Sequence, residues 1–384
     1  MRIALFSGNY NYLREGANQA LNALVAYLED KAGCDVRVYS PVTATPAFEP
    51  AGTLVPVPSI TLPVRKEFQL ALRLPGTIRR DVAHFAPDIV HVSTPDILGT
   101  RAQTFAKKLG VPILASMHTH FETYLDYYGL GWARPMTEAH IARFYRRSDH
   151  VVAPTPTLVA DMKRLRGDDR ASVWSRGIDR ELFSPARRDV AWRRAQGFAD
   201  ESIVVLFFGR LVLEKGAAVF VEVLRALQGR APVQALVVGA GPAAAAFAAL
   251  PGAVLTGHLE GVDLARAVAS ADIMLGPSTT ETFGNVVLEA MACGVPVVSA
   301  DAPSARALLI DGDTGLLCPA RDVGAYAEAI LRLIDAPDIR RAMGASARQA
   351  SAAYSWDAAS ESVAKVYRSL VAGDGLGAGV SRQP

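Results

Sequence analysis

The chain runs to 384 residues, too long for one ordinary core and suited to two domains of roughly 150–200 residues each. Half of its residues are apolar, and 40 basic against 38 acidic side chains leave a formal charge of +2, a balance that argues against a dedicated nucleic-acid binder. Three cysteines, Cys34, Cys293 and Cys318, are odd in number and lack metal-ligand spacing, so reduced thiols in a cytosolic protein are expected and a disulfide framework is not.

No stretch approaches the roughly 18 apolar residues of a membrane span. MRIALFS at the amino terminus is too short for a signal peptide. Charge is uneven along the chain, roughly +5 over residues 1–190 and roughly −3 over the remainder.

In chain order, Arg2–Ser7 reads as a buried strand. It is followed by the loop Ser7–Gly16, whose Gly8 and Gly16 could bring backbone N–H groups near a phosphate. A helix is predicted near Gly16–Asp30, with Ala17, Ala20, Leu21, Leu24 and Leu28 on one face. Strands follow at Asp35–Ser40, Asp88–Ser93, Val111–Met117, His150–Thr155 and Ala171–Ser175, with helices between most of them. Apolar strands alternating with helices predict a parallel sheet covered on both faces. At the end of the Val111–Met117 strand, His118 could bond a sugar hydroxyl, while His120, Glu122 and Tyr124 could face an acceptor. Two histidines at i and i+2 without further ligands do not make a zinc site, and a structural role is the default for His120 taken singly.

Phe183–Asp200, with Pro185 and several charges, reads as the linker. The pattern then restarts, with strands predicted at Ser202–Gly209, Val233–Gly239, Ala253–Gly257, Ile273–Ser278, Pro296–Asp301 and Thr314–Cys318. In such sheets ligands bind beyond the carboxyl ends of the strands, and the informative motifs fall there. Gly209-Arg-Leu-Val-Leu-Glu-Lys-Gly216 places Arg210 and Lys215 where two cations could neutralise a diphosphate, with Gly209 and Gly216 permitting tight turns; two exposed basic residues in an ordinary loop are the plainer alternative. Gly239-Ala-Gly-Pro resembles a dinucleotide fingerprint but follows a later strand than a nicotinamide enzyme would use, so a tight turn is favoured.

In Glu281-Thr-Phe-Gly-Asn-Val-Val-Leu-Glu289, Gly284 opens a helix whose N–H groups and dipole suit a phosphate. Glu281 could accept from sugar hydroxyls and Glu289 could grip a ribose diol; alternatively they are a dipole-favouring acid and a surface glutamate. Asp311-Gly-Asp313 reads as a turn and not as a metal pair. A final helix is predicted near Ser355–Leu370, and the glycine-rich tail from Gly373 to Pro384 is expected to be disordered.

Taken in order, GRLVLEKG, VVGAGP, GHLEG, ETFGNVVLE and ACGVPVVSAD resemble glycosyltransferase family 4, the retaining GT-B enzymes. HTHFETYLDYYGL and ETFGNVVLEAMACG are most similar to bacterial lipid α-mannosyltransferases and sulfoquinovosyltransferases. The first loop departs from the family's paired glycines, having Gly8-Asn9 and an isolated Gly16.

The resemblance implies an α/β GT-B fold, two Rossmann-like doubly wound parallel-sheet domains facing across a cleft. Their expected bounds are 1–184 for an acceptor-binding domain, with a helix at 355–371 returning onto it, and 185–354 for a nucleotide-sugar domain. It implies diphosphate binding by Arg210 and Lys215, with ribose binding by Glu289. Glu281 and the backbone of Phe283, Gly284, Asn285 and Val286 would hold the donor sugar and phosphate. His118 would contact the transferred sugar, and the loop from Gly8 to Gly16 would complete the donor pocket.

The activity expected is retaining transfer of a hexose from GDP-mannose, a UDP-hexose or a UDP-uronate, without metal or other cofactor. The favoured acceptor is a membrane lipid or glycolipid precursor. Alternatives are a GT-B sugar-nucleotide 2-epimerase and a non-catalytic sugar-nucleotide-binding protein. Arg65–Leu74, Arg79-Arg80 and Arg143-Phe-Tyr-Arg-Arg147 mix cations with apolar side chains. They suggest a cytoplasmic protein docking peripherally on the anionic inner face of the membrane; solvated helix faces are the alternative for each.

Overall fold

The computed structural model describes residues 1–13, 15–61, 68–119 and 131–373. His120, Glu122, Tyr124, part of the Arg65–Leu74 segment and the tail beyond Gly373 lie outside the described residues. The chain divides into two compact units, one of Met1–Gly177 with the carboxyl-terminal segment from Trp356, the other of Ile178–Ser355.

The first unit carries a parallel sheet of β1 (Arg2–Phe6), β2 (Asp35–Ser40), β3 (Thr53–Pro56), β6 (Ile89–Val92), β7 (Ile113–Ser116), β8 (His150–Ala153) and β9 (Ala171–Val173). Its order is β3-β2-β1-β6-β7-β8-β9, and a short hairpin, β4 (Ile60–Thr61) with β5 (Gln69–Leu70), stands apart. The edge strand β3 and this hairpin escape prediction because Pro56 and Pro58 interrupt the first, and Ile60 and Thr61 of the second are both exposed.

Strand periodicity explains the two layers of core. Ile3 and Leu5 pack with Leu21, Leu24 and Leu28 of the helix Gly16–Asp30 and with Val363 and Tyr367 of the helix Trp356–Ala372. Ala4 and Phe6 point to the other face, against Val90, Val92 and Phe144. Gly177 exists for contact: a Cβ there would overlap the backbone of Trp356, where the carboxyl-terminal helix begins.

The second unit has the strands β10 (Ile203–Phe208), β11 (Val233–Val238), β12 (Val254–Gly257), β13 (Ile273–Gly276), β14 (Val297–Ala300) and β15 (Gly315–Cys318). They lie in the order β12-β11-β10-β13-β14-β15, the doubly wound arrangement with its switch point between β10 and β13. Here too alternate residues serve opposite layers, Val204, Leu206 and Phe208 on one side and Val205 and Phe207 on the other.

The expected linker Phe183–Asp200 is part of this unit. Phe183 and Phe198 are buried in its core. Arg193 is buried too, donating to Asp272 Oδ2 at 2.8 Å and to the Ser202 carbonyl at 2.8 Å. Charges that marked the segment as a linker in the sequence therefore fasten it to β10 and the turn before β13, and the boundary between the two units falls earlier, at Gly177/Ile178.

The segment Arg143–Arg147 also differs from expectation. Phe144 and Tyr145 are buried in the first unit, so only Arg143 and Arg146 of that group are exposed. No helix among the described residues is long and apolar enough to cross a membrane.

Candidate active site

At the β10–β13 switch point two loops meet by a definite set of contacts. β10 ends in Gly209 at φ +128°, and the loop passes Arg210 and a short 3-10 turn, Leu213–Lys215, before Gly216 at φ +79° admits the helix Ala217–Leu227. A Cβ on Gly216 would press on the backbone of Pro277 just beyond β13. The hydroxyls of Ser278 and Thr280 donate to the Glu214 carbonyl at 3.4 and 3.1 Å. This stitching brings the Lys215 ammonium into an ion pair with Glu281 Oε1, both side chains about three-quarters or more buried. Arg210 is exposed on the same loop.

Directly after Glu281 the chain turns through buried Phe283, whose ring meets Tyr354 edge-on at 5.9 Å, to Gly284 at φ +96°. Gly284 is the N-cap of the helix Asn285–Ala292 and offers no side-chain cap. Among the described residues no acceptor meets the N–H groups of Phe283, Gly284, Asn285 and Val286, so this end carries the orphan donors and partial positive charge of a helix terminus. Val286 lies against Gly209, which places the terminus beside the loop of Arg210 and Lys215.

Glu289 sits lower on that helix, and no described cation or N–H meets its carboxylate. Burial pushes its carboxyl up to about 8.

The Gly239–Pro242 turn braces this arrangement. A Cβ on Gly239 would overlap the Gly209 carbonyl oxygen, and one on Gly241 would overlap that of Leu211. Leu211 N donates to the Ala240 carbonyl and Ala243 N to the Leu211 carbonyl, at 3.0 and 2.9 Å. The fingerprint-like glycines thus serve backbone packing beneath the cationic loop. Asp311-Gly-Asp313 is a turn, with Gly312 at φ +81° and Asp311 Oδ1 accepting from Leu317 N at 2.9 Å.

In the first unit the loop after β1 is held by a side chain of its own and by those of Thr94 and Asn22. Gly8 N donates to Thr94 Oγ1 at 3.1 Å, so that N–H is already taken. The Tyr12 hydroxyl donates to the Gly8 carbonyl at 2.9 Å, and Asn22 Nδ2 to that of Tyr10 at 3.0 Å. Gly16 opens the helix Gly16–Asp30, whose N-cap Glu15 provides no side-chain cap.

His118, beyond β7, is buried and engaged at both ring nitrogens. Arg176 Nη2 donates to Nδ1 at 3.1 Å, and Nε2 lies 2.8 Å from Ser116 Oγ. A sugar hydroxyl could take either nitrogen only by displacing Arg176 or Ser116. Burial first, then the Arg176 charge, holds this imidazole neutral well below the usual histidine range. Arg176, which the sequence reading passed over, stands two residues after Trp174 in a segment with no glycine-rich or acidic signature.

Two doubly wound parallel sheets, one with a cation–acid pair and a bare helix terminus at its switch point, define the GT-B class of glycosyltransferase. Sequence comparison agrees. The family described as Glycosyltransferase Family 4 matches residues 14–182, and Glycosyl transferases group 1 matches residues 202–336. The sulfoquinovosyl transferase SQD2 of Arabidopsis thaliana is 31% identical over 377 residues, 94% of this chain and 72% of that protein. A GDP-mannose-dependent alpha-mannosyltransferase of Mycolicibacterium smegmatis is 32% identical over 371 residues, 93% of this chain and 94% of that protein.

Among solved structures, sucrose-phosphate synthase from Thermosynechococcus elongatus superposes with a TM-score of 0.80 at 21% identity, covering 97% of this chain and 100% of that one. Anabaena Alr3699/HepE in complex with UDP and glucose gives 0.75 at 20% identity, covering 96% and 100%. The chain belongs to glycosyltransferase family 4.

Proposed function

We propose that the protein transfers a hexose, with retention at the anomeric carbon, from a nucleoside-diphosphate sugar to a membrane lipid or glycolipid precursor. The observation that carries this reading is the Lys215–Glu281 pair beside the uncapped end of the helix Asn285–Ala292. On this reading the donor diphosphate lies against the N–H groups of Phe283 to Val286 and takes Lys215 away from Glu281, with Arg210 as the second cation. Glu281, released, accepts from a hydroxyl of the hexose, and Glu289 meets the ribose diol. The bond from the anomeric carbon to the diphosphate breaks while the acceptor oxygen bonds to that carbon from the same face. The acceptor's proton passes to the departing phosphate oxygen, and the protein supplies position and charge stabilisation. No metal is needed in this scheme, because two cations and a helix terminus offset the leaving charge.

GDP-mannose and UDP-linked hexoses are the donors to test, given a GDP-mannose-dependent relative and a sulfoquinovosyl transferase relative. On this reading the helix Arg134–Arg146 and the turn before it would meet the lipid, since Trp132 and Met136 are 77% and 69% exposed and Arg134 and Arg143 are exposed as well. These apolar groups replace Phe144 and Tyr145 in the membrane-docking expectation. Co-sedimentation with phosphatidylglycerol-containing vesicles should exceed that with phosphatidylcholine alone, and equal binding would remove this part of the reading.

The experiment for the activity supplies GDP-mannose or UDP-hexoses together with a lipid extract and determines the anomeric configuration of the product. A retained configuration in a lipid product supports the proposal. An inverted product, or a changed sugar nucleotide formed without any acceptor, as a 2-epimerase would give, refutes it.

A further inference from the structure

Arg176 is 97% buried and has no acidic partner among the described residues. Its Nη1 donates to the carbonyls of Trp174 and Ser175 at 3.0 and 3.2 Å, its Nη2 donates to His118 Nδ1, and its guanidinium lies 5.1 Å from the centre of the Trp174 ring. A guanidinium has five N–H donors and these bonds use three, so two are unspent. Nε is not among the side-chain nitrogens sealed from solvent without a partner, as those of Arg180 and Arg266 are. All named partners are neutral, so a full positive charge is buried without a counter-charge, an arrangement that costs stability unless something else supplies the anion.

The surrounding bonds hold that guanidinium in place, and the tautomer of His118 follows from one fact: arginine only donates. His118 Nδ1 must then be an acceptor, which puts the ring proton on Nε2, donating to Ser116 Oγ at 2.8 Å. Ser116 Oγ also lies 2.9 Å from His91 Nε2, and His91 Nδ1 lies 2.6 Å from the Tyr367 hydroxyl. Every member is buried, and Trp174 meets both rings edge-on, at 5.3 Å for His118 and 6.1 Å for His91. A chain of hydrogen bonds thus runs from Arg176 through His118, Ser116 and His91 to Tyr367 on the carboxyl-terminal helix, and His118 Nδ1 can only receive from Arg176.

We propose that Arg176 is an anion-binding residue of the first unit, its unspent N–H groups taking an anionic oxygen of the substrate, and that His118, Ser116, His91 and Tyr367 are positioning residues that aim it. The ligand chemistry is a phosphate-like or other oxyanion, carried either by the diphosphate of the donor or by an acidic group on the acceptor. This rests on the glycosyltransferase reading only in taking the ligand to be one of that reaction's substrates.

The test uses the full chain with Arg176→Gln, Arg176→Lys and Tyr367→Phe. Calorimetry with GDP and UDP reads the donor arm. Initial rates with lipid extract fractionated into acidic and neutral lipids read the acceptor arm. Arg176→Gln should weaken one arm by about tenfold or more, with Arg176→Lys keeping part of that loss, since a lysine preserves the charge but not the fork. Loss of GDP or UDP affinity assigns the donor phosphate; a raised KM for the acidic fraction alone assigns the acceptor.

Tyr367→Phe should weaken the same arm by a smaller factor while the other arm stays unchanged, a selectivity that a structural role would not produce. The unliganded Arg176→Gln protein should melt no lower than wild type, because an unbalanced buried charge is gone. Wild-type parameters in both arms for Arg176→Gln overturn the proposal; if that variant does not fold, wild-type parameters for Arg176→Lys and Tyr367→Phe overturn it. Lys215→Ala is the control for the reading beneath: nucleotide affinity unchanged in Lys215→Ala refutes the donor site in the second unit, whatever Arg176 does.

Discussion

Lys215 and Glu281 form an ion pair, so on the proposed function their contributions to turnover are tied together. Alanine at either position should lower turnover by about a hundredfold or more, as loss of a contact made in the transition state does. Because each single variant also strands its partner, the double variant should lose little beyond the worse single. Measuring kcat/KM for the four proteins checks this, and losses that simply multiply would contradict it.

Glu289 gives a second expectation at this scale, and its sign follows from burial. Its carboxyl ionises near 4.5 in an unfolded chain and at about 8 in the folded one, so the folded state holds the proton between those values. The stability it contributes is complete below about pH 4.5 and is lost as pH rises through about 8. Glu289→Gln cannot ionise, so it should lose less stability than wild type when urea midpoints are compared at pH 5 and pH 8.5. Equal pH dependence in the two proteins would place the titration elsewhere. His91, lowered by burial to about 3, and His118 should both stay neutral across that range.

At the scale of elements, the loop after β10 keeps its shape because two turns lie against it. The Gly239–Pro242 turn packs backbone to backbone under Gly209 and Leu211, and Pro277 abuts Gly216. Gly239→Ala would add a methyl group where the Gly209 carbonyl stands, at φ +137°, and should cost about 2–4 kcal/mol of stability. It should also weaken nucleotide binding although Gly239 carries no polar side chain. Thermal melting and GDP or UDP titration of this variant test both effects, and an unchanged midpoint would show that the brace is soft.

Elements are also where sequence reading succeeded and failed for identifiable reasons. Every strand of the second sheet was legible, since runs such as Ile203–Phe208 are apolar on both faces and end at glycine or a Ser/Thr cluster. Edge strand β3 was not, because Pro56 and Pro58 interrupt it. In Arg143–Arg147 cations mixed with apolar side chains suggested a membrane-docking face, yet helical spacing turns Phe144 and Tyr145 inward. Phe183–Asp200 misled similarly: the charge of Arg193 is spent on the partly buried Asp272, a pairing no local pattern reveals. The hydrogen-bond chain from Arg176 to Tyr367 joins β9, β7, β6 and the last helix, and so is visible only after folding.

For the whole molecule, two separate cores imply that damage to one unit need not unfold the other. The first unit is completed by the helix Trp356–Ala372, whose Val363, Ala364 and Tyr367 fill the layer over β1 and β6. A chain ending at Ser355 should therefore lose at least about 10 °C from the melting of the first unit, given several buried side chains removed at about 1–3 kcal/mol each. The second unit, Ile178–Ser355, should keep its own transition. Calorimetric scans of the two chains would show one transition displaced and one retained; loss of both together would mean that the units do not fold independently.

The account depends most on a diphosphate held by Lys215, Arg210 and the N–H groups at Gly284. Titrating GDP and UDP into wild type and Lys215→Ala by calorimetry probes that directly. One of the two nucleotides should bind wild type, and its affinity should fall by about tenfold or more in the variant, consistent with loss of a charge-assisted contact. Binding of neither nucleotide to wild type, or binding of equal strength to both proteins, would contradict it.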